Sequence, residues 1–125
     1  MGENEIGEIV IGAAIRVHRA LGPGMLESTY EACLAHEISR RGLDVQRQAS
    51  LPLHYDGIDL DAAYRIDLLV DGKVVVEVKA VEQMTRVHDA QLLSYLRLGN
   101  FKLGYLINFN VALLKDGLKR MVNGL

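Results

Sequence analysis

The segment from Tyr64 to Lys79, YRIDLLVDGKVVVEVK, constrains the fold most strongly because two alternating apolar runs flank an Asp-Gly pair. This pattern predicts a β-hairpin that turns at Asp71-Gly72. Successive side chains of a strand point to opposite faces of a sheet. The number of residues in the connecting loop therefore decides which side chains of the hairpin lie together.

An odd-length loop places the acidic residues of this hairpin on one face. A two-residue loop would pair Val70 with Lys73, and Asp67 and Glu77 would then lie on opposite faces. A type I turn with Gly72 in the left-handed conformation and a bulge gives an odd loop. The apolar face then contains Ile66, Leu68, Val70, Val74, Val76 and Val78. The other face contains Arg65, Asp67, Leu69, Val75, Glu77 and Lys79. A slip of one residue would mix the two sets, so the hydrophobic pattern favours the odd loop.

The polar face of the predicted hairpin has the composition of a metal site. Two neighbouring carboxylates, Asp67 and Glu77, repel each other unless positive charge lies between them. A hard cation such as Mg²⁺ or Mn²⁺ binds carboxylate oxygens and leaves positions for water and phosphate. Lys79, on the same face, could hold a water or stabilise developing negative charge. Two alternatives remain open: a solvated face with an i,i+2 ion pair, and a structural ion-pair network of the carboxylates with Arg65 and Lys79.

Two motifs of this region resemble those of known nucleases. Asp67, nine residues and then Glu77-x-Lys79 resembles the signature of the PD-(D/E)xK nuclease superfamily. Gln91-x-x-x-Tyr95, on the helix predicted after the Glu-x-Lys strand, resembles the motif of RecB-type nucleases in that superfamily. There the glutamine and tyrosine lie near the metal and help to hold the nucleic-acid backbone. The alternative is an amphipathic helix whose tyrosine packs and whose glutamine is solvated.

An earlier segment carries a second resemblance, which covers nearly the whole chain. Residues 24–30, GMLESTY, match the motif of the GxxExxY proteins, and the flanks HRALGP and EACL agree with it. That family is similar to a small branch of the PD-(D/E)xK superfamily. The resemblance implies that Glu27, on the second predicted helix, joins the hairpin carboxylates.

Together the resemblances imply metal-assisted hydrolysis of phosphodiester bonds. Asp67, Glu77 and the backbone carbonyl of Val78 would hold the Mg²⁺ or Mn²⁺ ion. Glu27 would complete the shell of ligands directly or through water. Lys79 would orient the attacking water or stabilise the pentacovalent charge. Three residues would position the substrate backbone: Tyr30, Gln91 and Tyr95.

Two of the candidate residues also have simpler explanations. His18 would support the metal site as a further ligand or from behind the ligands, or it would only complement the dipole of the first helix. Glu27 could offset the positive end of the second helix. Alternatively, Ser28 and Glu31 could form a capping box that shifts the start of that helix by one turn.

The order of predicted elements indicates an α/β fold. We expect a restriction-endonuclease-like PD-(D/E)xK core with a central mixed β-sheet flanked by helices. The predicted helices span Ile6 to Leu21, Met25 to Arg41, and Thr85 as N-cap to Leu98. The predicted strands span Val45 to Tyr55, Ile58 to Ala63 continuing into the hairpin, and Lys102 to Phe109. Val111 to Val122 forms either a last hairpin or a short helix and strand.

Length and composition narrow the function. With 125 residues, we expect a single domain over residues 1–125. The net charge of −2 argues against a tight non-specific DNA binder. The single cysteine, Cys33, and the absence of a signal or membrane-spanning sequence predict a cytoplasmic protein. The apolar strand Lys102 to Phe109 could pair across a homodimer. We therefore expect a metal-dependent nuclease acting on DNA or RNA, or alternatively a non-catalytic module that binds nucleic acid or protein and keeps the nuclease-like fold.

Overall fold

The computed structural model describes residues 1–125, except for the side chain of Ala62. Three α-helices, five β-strands and one 3-10 helix form the described chain. The helices are α1 (Glu3–Leu21), α2 (Glu27–Arg40) and α3 (Arg86–Gly99), and the 3-10 helix is Leu114–Gly117. The strands are β1 (Val45–Tyr55), β2 (Ile58–Val70), β3 (Val74–Lys79), β4 (Leu103–Asn108) and β5 (Leu118–Val122). After β4 the chain therefore forms a short helix and a strand, not a hairpin.

The strands form one mixed sheet in the order β1-β2-β3-β4-β5. β3 and β4 are parallel, whereas the other neighbouring pairs are antiparallel. Helix α3 connects the two parallel strands, as parallel pairing requires a crossover. The predicted α/β class, with a central mixed sheet flanked by helices, is confirmed.

The β2–β3 hairpin has the predicted odd loop. Val70 pairs with Val74, which leaves three residues in the loop. The type of turn differs from the prediction, because Asp71 has a φ of 52° and Gly72 a φ of 65°. Positive φ at both central positions characterises a type I′ turn, whose twist matches that of the flanking strands. The odd count, and with it the pairing of the two acidic residues, follows from the hydrophobic pattern.

One residue of the predicted apolar face lies on the other side of the sheet. Leu68 and Val70 pack with α1 and α2, but Ile66 belongs to the cluster under α3. The cause lies next to Asp67, where Gln48 of the paired strand has a φ of 51°. A left-handed residue departs from the extended geometry of a strand, and the change of face in β2 occurs opposite this residue. The prediction for Ile66 was therefore wrong.

The two faces of the sheet carry separate hydrophobic cores. Helices α1 and α2 cover one face with a large cluster that includes Leu34 and Phe109. Helix α3 covers the other with a smaller cluster that includes Leu92 and Leu96. Gly104 permits the close approach of α3, because a Cβ there would lie 3.0 Å from a methyl carbon of each leucine. This approach brings the inner face of α3 against β4.

The position of β4 removes the basis for the predicted dimer. The predicted strand over Lys102 to Phe109 corresponds to β4, which pairs with β3 on one edge and β5 on the other. Its backbone groups are therefore used within the chain, and all six of its residues are buried. None of the helices in the described part of the chain has the length and hydropathy that crossing a bilayer requires.

Candidate active site

Asp67 and Glu77 face each other at the carboxyl end of β3. Asp67 precedes and Glu77 follows the last paired residues of the hairpin, Leu68 and Val76. The backbone N–H of Asp67 donates to Glu77 Oε2 at 2.8 Å. The N–H of Val78 donates to Asp67 Oδ2 at 2.9 Å. Each carboxylate is thus held by the backbone of the other strand, and the sequence-based pairing of the two acids is confirmed.

The environment of Glu77 disfavours its negative charge. Its side chain is nearly inaccessible, with a relative exposure of 4%. Desolvation by burial is the largest cause that raises the pKa of Glu77, to about 8, and the charge of Asp67 raises it further. The hydrogen bond from the Asp67 backbone and the positive charge of Lys79 act in the opposite direction. Near neutral pH, and without a cation, Glu77 therefore retains a proton.

Lys79 lies near the acidic pair without forming an ion pair with it. Among the described residues, no salt bridge within 4.0 Å joins Lys79 or Arg65 to a carboxylate. Arg65 donates to the backbone carbonyl of Gln48 at 3.4 Å instead. The alternative interpretation, in which the carboxylates form a structural ion-pair network with Arg65 and Lys79, is therefore wrong. In the described chain, neither Asp67 nor Glu77 forms an ion pair with a cationic side chain.

The backbone of β3 presents a carbonyl to the same place. The Lys79 carbonyl accepts from Phe109 N at 2.9 Å, on the side of β4. Because the backbone groups of successive residues point to opposite neighbours, those of Val78 point toward β2. The Val78 N–H confirms this direction, since it binds Asp67. The Val78 carbonyl lies on the same side as the acidic pair.

Helix α2 brings two further carboxylates to this end of the sheet. Glu27 begins the helix, and its Oε2 accepts a long hydrogen bond of 3.4 Å from the N–H of Ala80, directly after β3. Glu31 lies one turn later and is almost buried, with 8% exposure. The predicted approach of the early helix to the hairpin is therefore confirmed.

Sequence reasoning missed the role of Glu31. It does not form the capping box suggested with Ser28, since the N-cap of α2 is Leu26. One carboxylate oxygen accepts from Arg47 Nε at 3.2 Å and from Nη2 at 3.0 Å. The other accepts from Gln48 Nε2 at 2.7 Å. Its position four residues after Glu27, on the same helix face, is the signal that could have identified it.

Helix α3 contributes the Gln-x-x-x-Tyr pair beside the acids. Gln91 Nε2 donates to Tyr95 Oη at 3.0 Å. Desolvation raises the pKa of Tyr95, and the charge of Glu77 raises it further. Both residues line a groove of about 620 Å³ between α3 and the β1–β2 strands. Arg97 also lines this groove, which therefore offers a positive group, amide and hydroxyl groups and apolar surface next to the acidic pair.

The side chains alone do not enclose a metal site. Within the described part of the chain, no three His, Cys, Asp or Glu side chains are grouped so that they could hold a metal ion. An ion at this site would therefore bind one or two carboxylates and would take its other ligands from a carbonyl, water or substrate. Mg²⁺ is commonly bound in proteins in this way.

Comparison with known families tests the expected restriction-endonuclease-like PD-(D/E)xK core. A family model described as PD-(D/E)XK nuclease superfamily matches residues 4–121. The chain belongs to the PD-(D/E)XK nuclease superfamily. Searches among curated proteins and among solved structures found no significant match. The assignment to the GxxExxY branch stays a prediction.

Membership of the PD-(D/E)XK superfamily indicates a nuclease-type function and a nucleic-acid substrate. Nucleases of this superfamily typically use divalent metal ions. The carboxylate pair, the following lysine and the parallel β3–β4 pair occupy the end of the sheet where ligands of α/β proteins bind, outside the carboxyl ends of the strands.

Tyr30 supports the PD-(D/E)XK site indirectly, because none of its side-chain surface is exposed to contact a substrate. Its side chain is fully buried, and its ring stacks on Phe109 with centroids 4.6 Å apart. Its hydroxyl donates to the Gly22 carbonyl at 2.5 Å and accepts from Met25 N at 3.1 Å. The predicted direct contact with substrate is therefore wrong. Tyr30 fixes the loop that leads into α2 and so positions Glu27.

Tyr30→Phe is expected to lower the free energy of unfolding by about 1–3 kcal/mol, because the Gly22 carbonyl and the Met25 N–H lose their partner. Urea denaturation of the PD-(D/E)XK protein measures this loss. Tyr55→Phe, at an exposed tyrosine of β1, is the matched control and should leave stability unchanged. An equal effect of the two substitutions would contradict the bracing role of Tyr30.

His18 packs near Phe109 and contacts the loop after β4. It is 8% exposed, and its Nε2 donates to the Val111 carbonyl at 2.7 Å. Its ring centroid lies 6.4 Å from that of Phe109. No hydrogen bond in the described PD-(D/E)XK chain joins His18 to a carboxylate, so the predicted direct support of the metal ligands is wrong. His18 instead ties α1 to the loop after β4.

Proposed function

We propose that this protein is a divalent-metal-dependent nuclease that hydrolyses phosphodiester bonds of DNA or RNA at the Asp67–Glu77 pair. The observation that supports this most strongly is the reciprocal arrangement of the two carboxylates. Each acid accepts a hydrogen bond from a backbone N–H beside the other, which keeps the two carboxyl groups close together. Ionising both acids at this short distance is therefore costly unless a cation is bound, in agreement with the raised pKa of Glu77.

The residues present fit Mg²⁺ or Mn²⁺. Hard divalent cations prefer carboxylate and carbonyl oxygens, which Asp67, Glu77 and the Val78 carbonyl provide. Glu27 is exposed at the same strand end and could act directly or through water. When bound, the ion would supply Lewis acidity to the phosphate and lower the pKa of a water.

The remaining residues of the chain would bind and orient the substrate. Lys79 is half-buried and free of a carboxylate partner among the described residues, so its ammonium group is available to hold the attacking water or to stabilise charge on phosphate. Gln91 and Tyr95 border the groove beside the acids and would hold the backbone of the nucleic acid. Arg97, farther along the same groove, would neutralise a neighbouring phosphate.

Cleavage of labelled single-stranded and duplex DNA and RNA tests the proposal. We expect cleavage of at least one of these substrates in Mg²⁺ or Mn²⁺ and none in EDTA. Cleavage that is unchanged in Asp67→Ala, Glu77→Ala and Lys79→Ala would overturn the assignment. The four substrates also decide between DNA and RNA, which the groove alone does not distinguish.

The affinity for Mn²⁺ should rise with pH, because the ion must displace the proton that Glu77 retains up to a pKa of about 8. Below pH 8 we expect an increase of about tenfold per pH unit, with one proton released per ion bound. Titration calorimetry at pH 6.5, 7.5 and 8.5 in buffers of different ionisation enthalpy measures both quantities. An affinity independent of pH would exclude Glu77 as a ligand.

A non-catalytic binding module with the nuclease-like fold is the second candidate. It is favoured by the absence of three metal-binding side chains grouped together in the described chain. The same calorimetry separates the two candidates, because a module of this kind predicts no divalent-ion binding even at millimolar concentration.

A further inference from the structure

The side-chain amide of Gln48 joins two carboxylates that come from different elements. Its Nε2 lies 2.7 Å from Glu31 Oε1 of α2 and 3.2 Å from Asp67 Oδ1 of β2. An amide nitrogen carries two N–H donors, and here one is directed to each carboxylate. Gln48 therefore links helix α2 to the acidic pair across the edge of the sheet.

The far end of this link is firmly anchored. Glu31 is almost buried, and its second oxygen accepts two hydrogen bonds from the guanidinium group of Arg47. Charge-assisted hydrogen bonds of this kind are stronger than neutral ones. Because Glu31 cannot turn freely, the Gln48 amide that donates a hydrogen bond to it is also restrained.

The backbone conformation at position 48 does not favour glutamine, so the contacts of the side chain must explain why this residue occurs there. Its φ of 51° lies in the left-handed region, which glycine adopts readily and which is unfavourable for most other residues. Strained backbone of this type persists where the surrounding structure enforces it and is often found at functional sites. Glycine would satisfy the turn of the strand equally well but could not bridge Glu31 and Asp67.

Asp67 is restrained by both of its oxygens only when Gln48 is present. Oδ2 accepts from Val78 N and Oδ1 from Gln48. With one bond lost, the carboxylate can rotate about its terminal torsion, which is a soft one. The amide also carries no net charge, so it orients the carboxylate without competing electrostatically with a cation, as a lysine or arginine in its place would.

We propose that Gln48 is a positioning residue of the metal site: it orients the Asp67 carboxylate toward a divalent cation, and Glu31 and Arg47 hold it in place. This inference rests on the proposed function, because it presupposes that Asp67 and Glu77 bind the ion. It assigns to Glu31 a supporting contact and not direct coordination.

Gln48→Gly separates this role from a structural one. Glycine relieves the left-handed backbone, which offsets the loss of the hydrogen bonds to Glu31 and Asp67, so the urea midpoint of the metal-free protein should change little. The Mn²⁺ affinity measured by calorimetry should nevertheless fall by about 10- to 100-fold, as for other residues that orient metal ligands. Asp56→Gly is the matched control, since Asp56 also has positive φ, 47°, but lies at the β1–β2 turn. It should leave the affinity unchanged.

Gln48→Asn provides a second variant, because asparagine also tolerates positive φ but is too short to reach both carboxylates. It should weaken Mn²⁺ binding in the same way. Wild-type affinity in both stably folded variants would overturn the role of Gln48 alone and leave the nuclease proposal intact. Failure of the wild-type protein itself to bind Mn²⁺ would overturn the metal site and this inference together.

Discussion

Glu77→Gln is expected to lower the rate of metal-dependent phosphodiester cleavage by at least about 100-fold, the loss typical of removing one charged or hydrogen-bonding group that acts in the transition state. The substitution is nearly isosteric, and the amide oxygen can still accept the hydrogen bond from Asp67 N. The geometry of the hairpin is therefore retained, while the negative charge that would hold the ion is removed. Asp67→Asn should have an effect of the same size.

Single-turnover cleavage at saturating Mn²⁺ measures the loss of rate. The same assay at lower Mn²⁺ concentrations shows how much of that loss results from weaker ion binding. Glu8→Gln, at an exposed glutamate of α1, is the matched control for the change of charge and should retain full activity. Full activity of Glu77→Gln would place the reacting centre elsewhere on the protein, and the proposed site would have to be abandoned.

The hairpin was predictable because its pattern had only one consistent solution. With valines and a leucine alternating on both strands, only the three-residue loop buries one complete face, and the pairing of Asp67 with Glu77 follows from that burial. The reversal at Ile66 was not predictable. It depends on the left-handed conformation of Gln48 in the neighbouring strand, and no sequence pattern requires that conformation in a glutamine.

The supporting contacts of the site show a second limit of sequence reasoning. The resemblance assigned Tyr30 a contact with substrate and could not show that its hydroxyl turns to the Gly22 carbonyl and not to a groove. Glu31 looked like a capping residue because its partners, Arg47 and Gln48, lie in another element. Contacts between elements depend on the packing angle of α2 on the sheet, and local spacing does not contain that angle.

Glu77→Gln is also expected to stabilise the metal-free protein at alkaline pH. The folded-state pKa of Glu77 is raised to about 8 from an ordinary value of 4.5, by burial first and by Asp67 second. A raised pKa means that the contribution of this group to stability is complete below about pH 4.5 and is lost as the pH rises through 8. The wild-type protein in EDTA should therefore become less stable from pH 5 to pH 9. Glutamine cannot ionise and removes this part of the pH dependence.

At pH 9 the variant should exceed the wild type by about 2–4 kcal/mol in the free energy of unfolding, since each unit of pKa difference corresponds to about 1.4 kcal/mol. Urea denaturation at pH 5, 7 and 9 in EDTA measures the gap, which should widen with pH, whereas Glu8→Gln should run parallel to the wild type. A variant that is less stable than the wild type at every pH would mean that Glu77 acts as a structural anion. In that case the acidic pair would stabilise the fold, and the cost of ionising Glu77, which a metal ion is proposed to offset, would not exist.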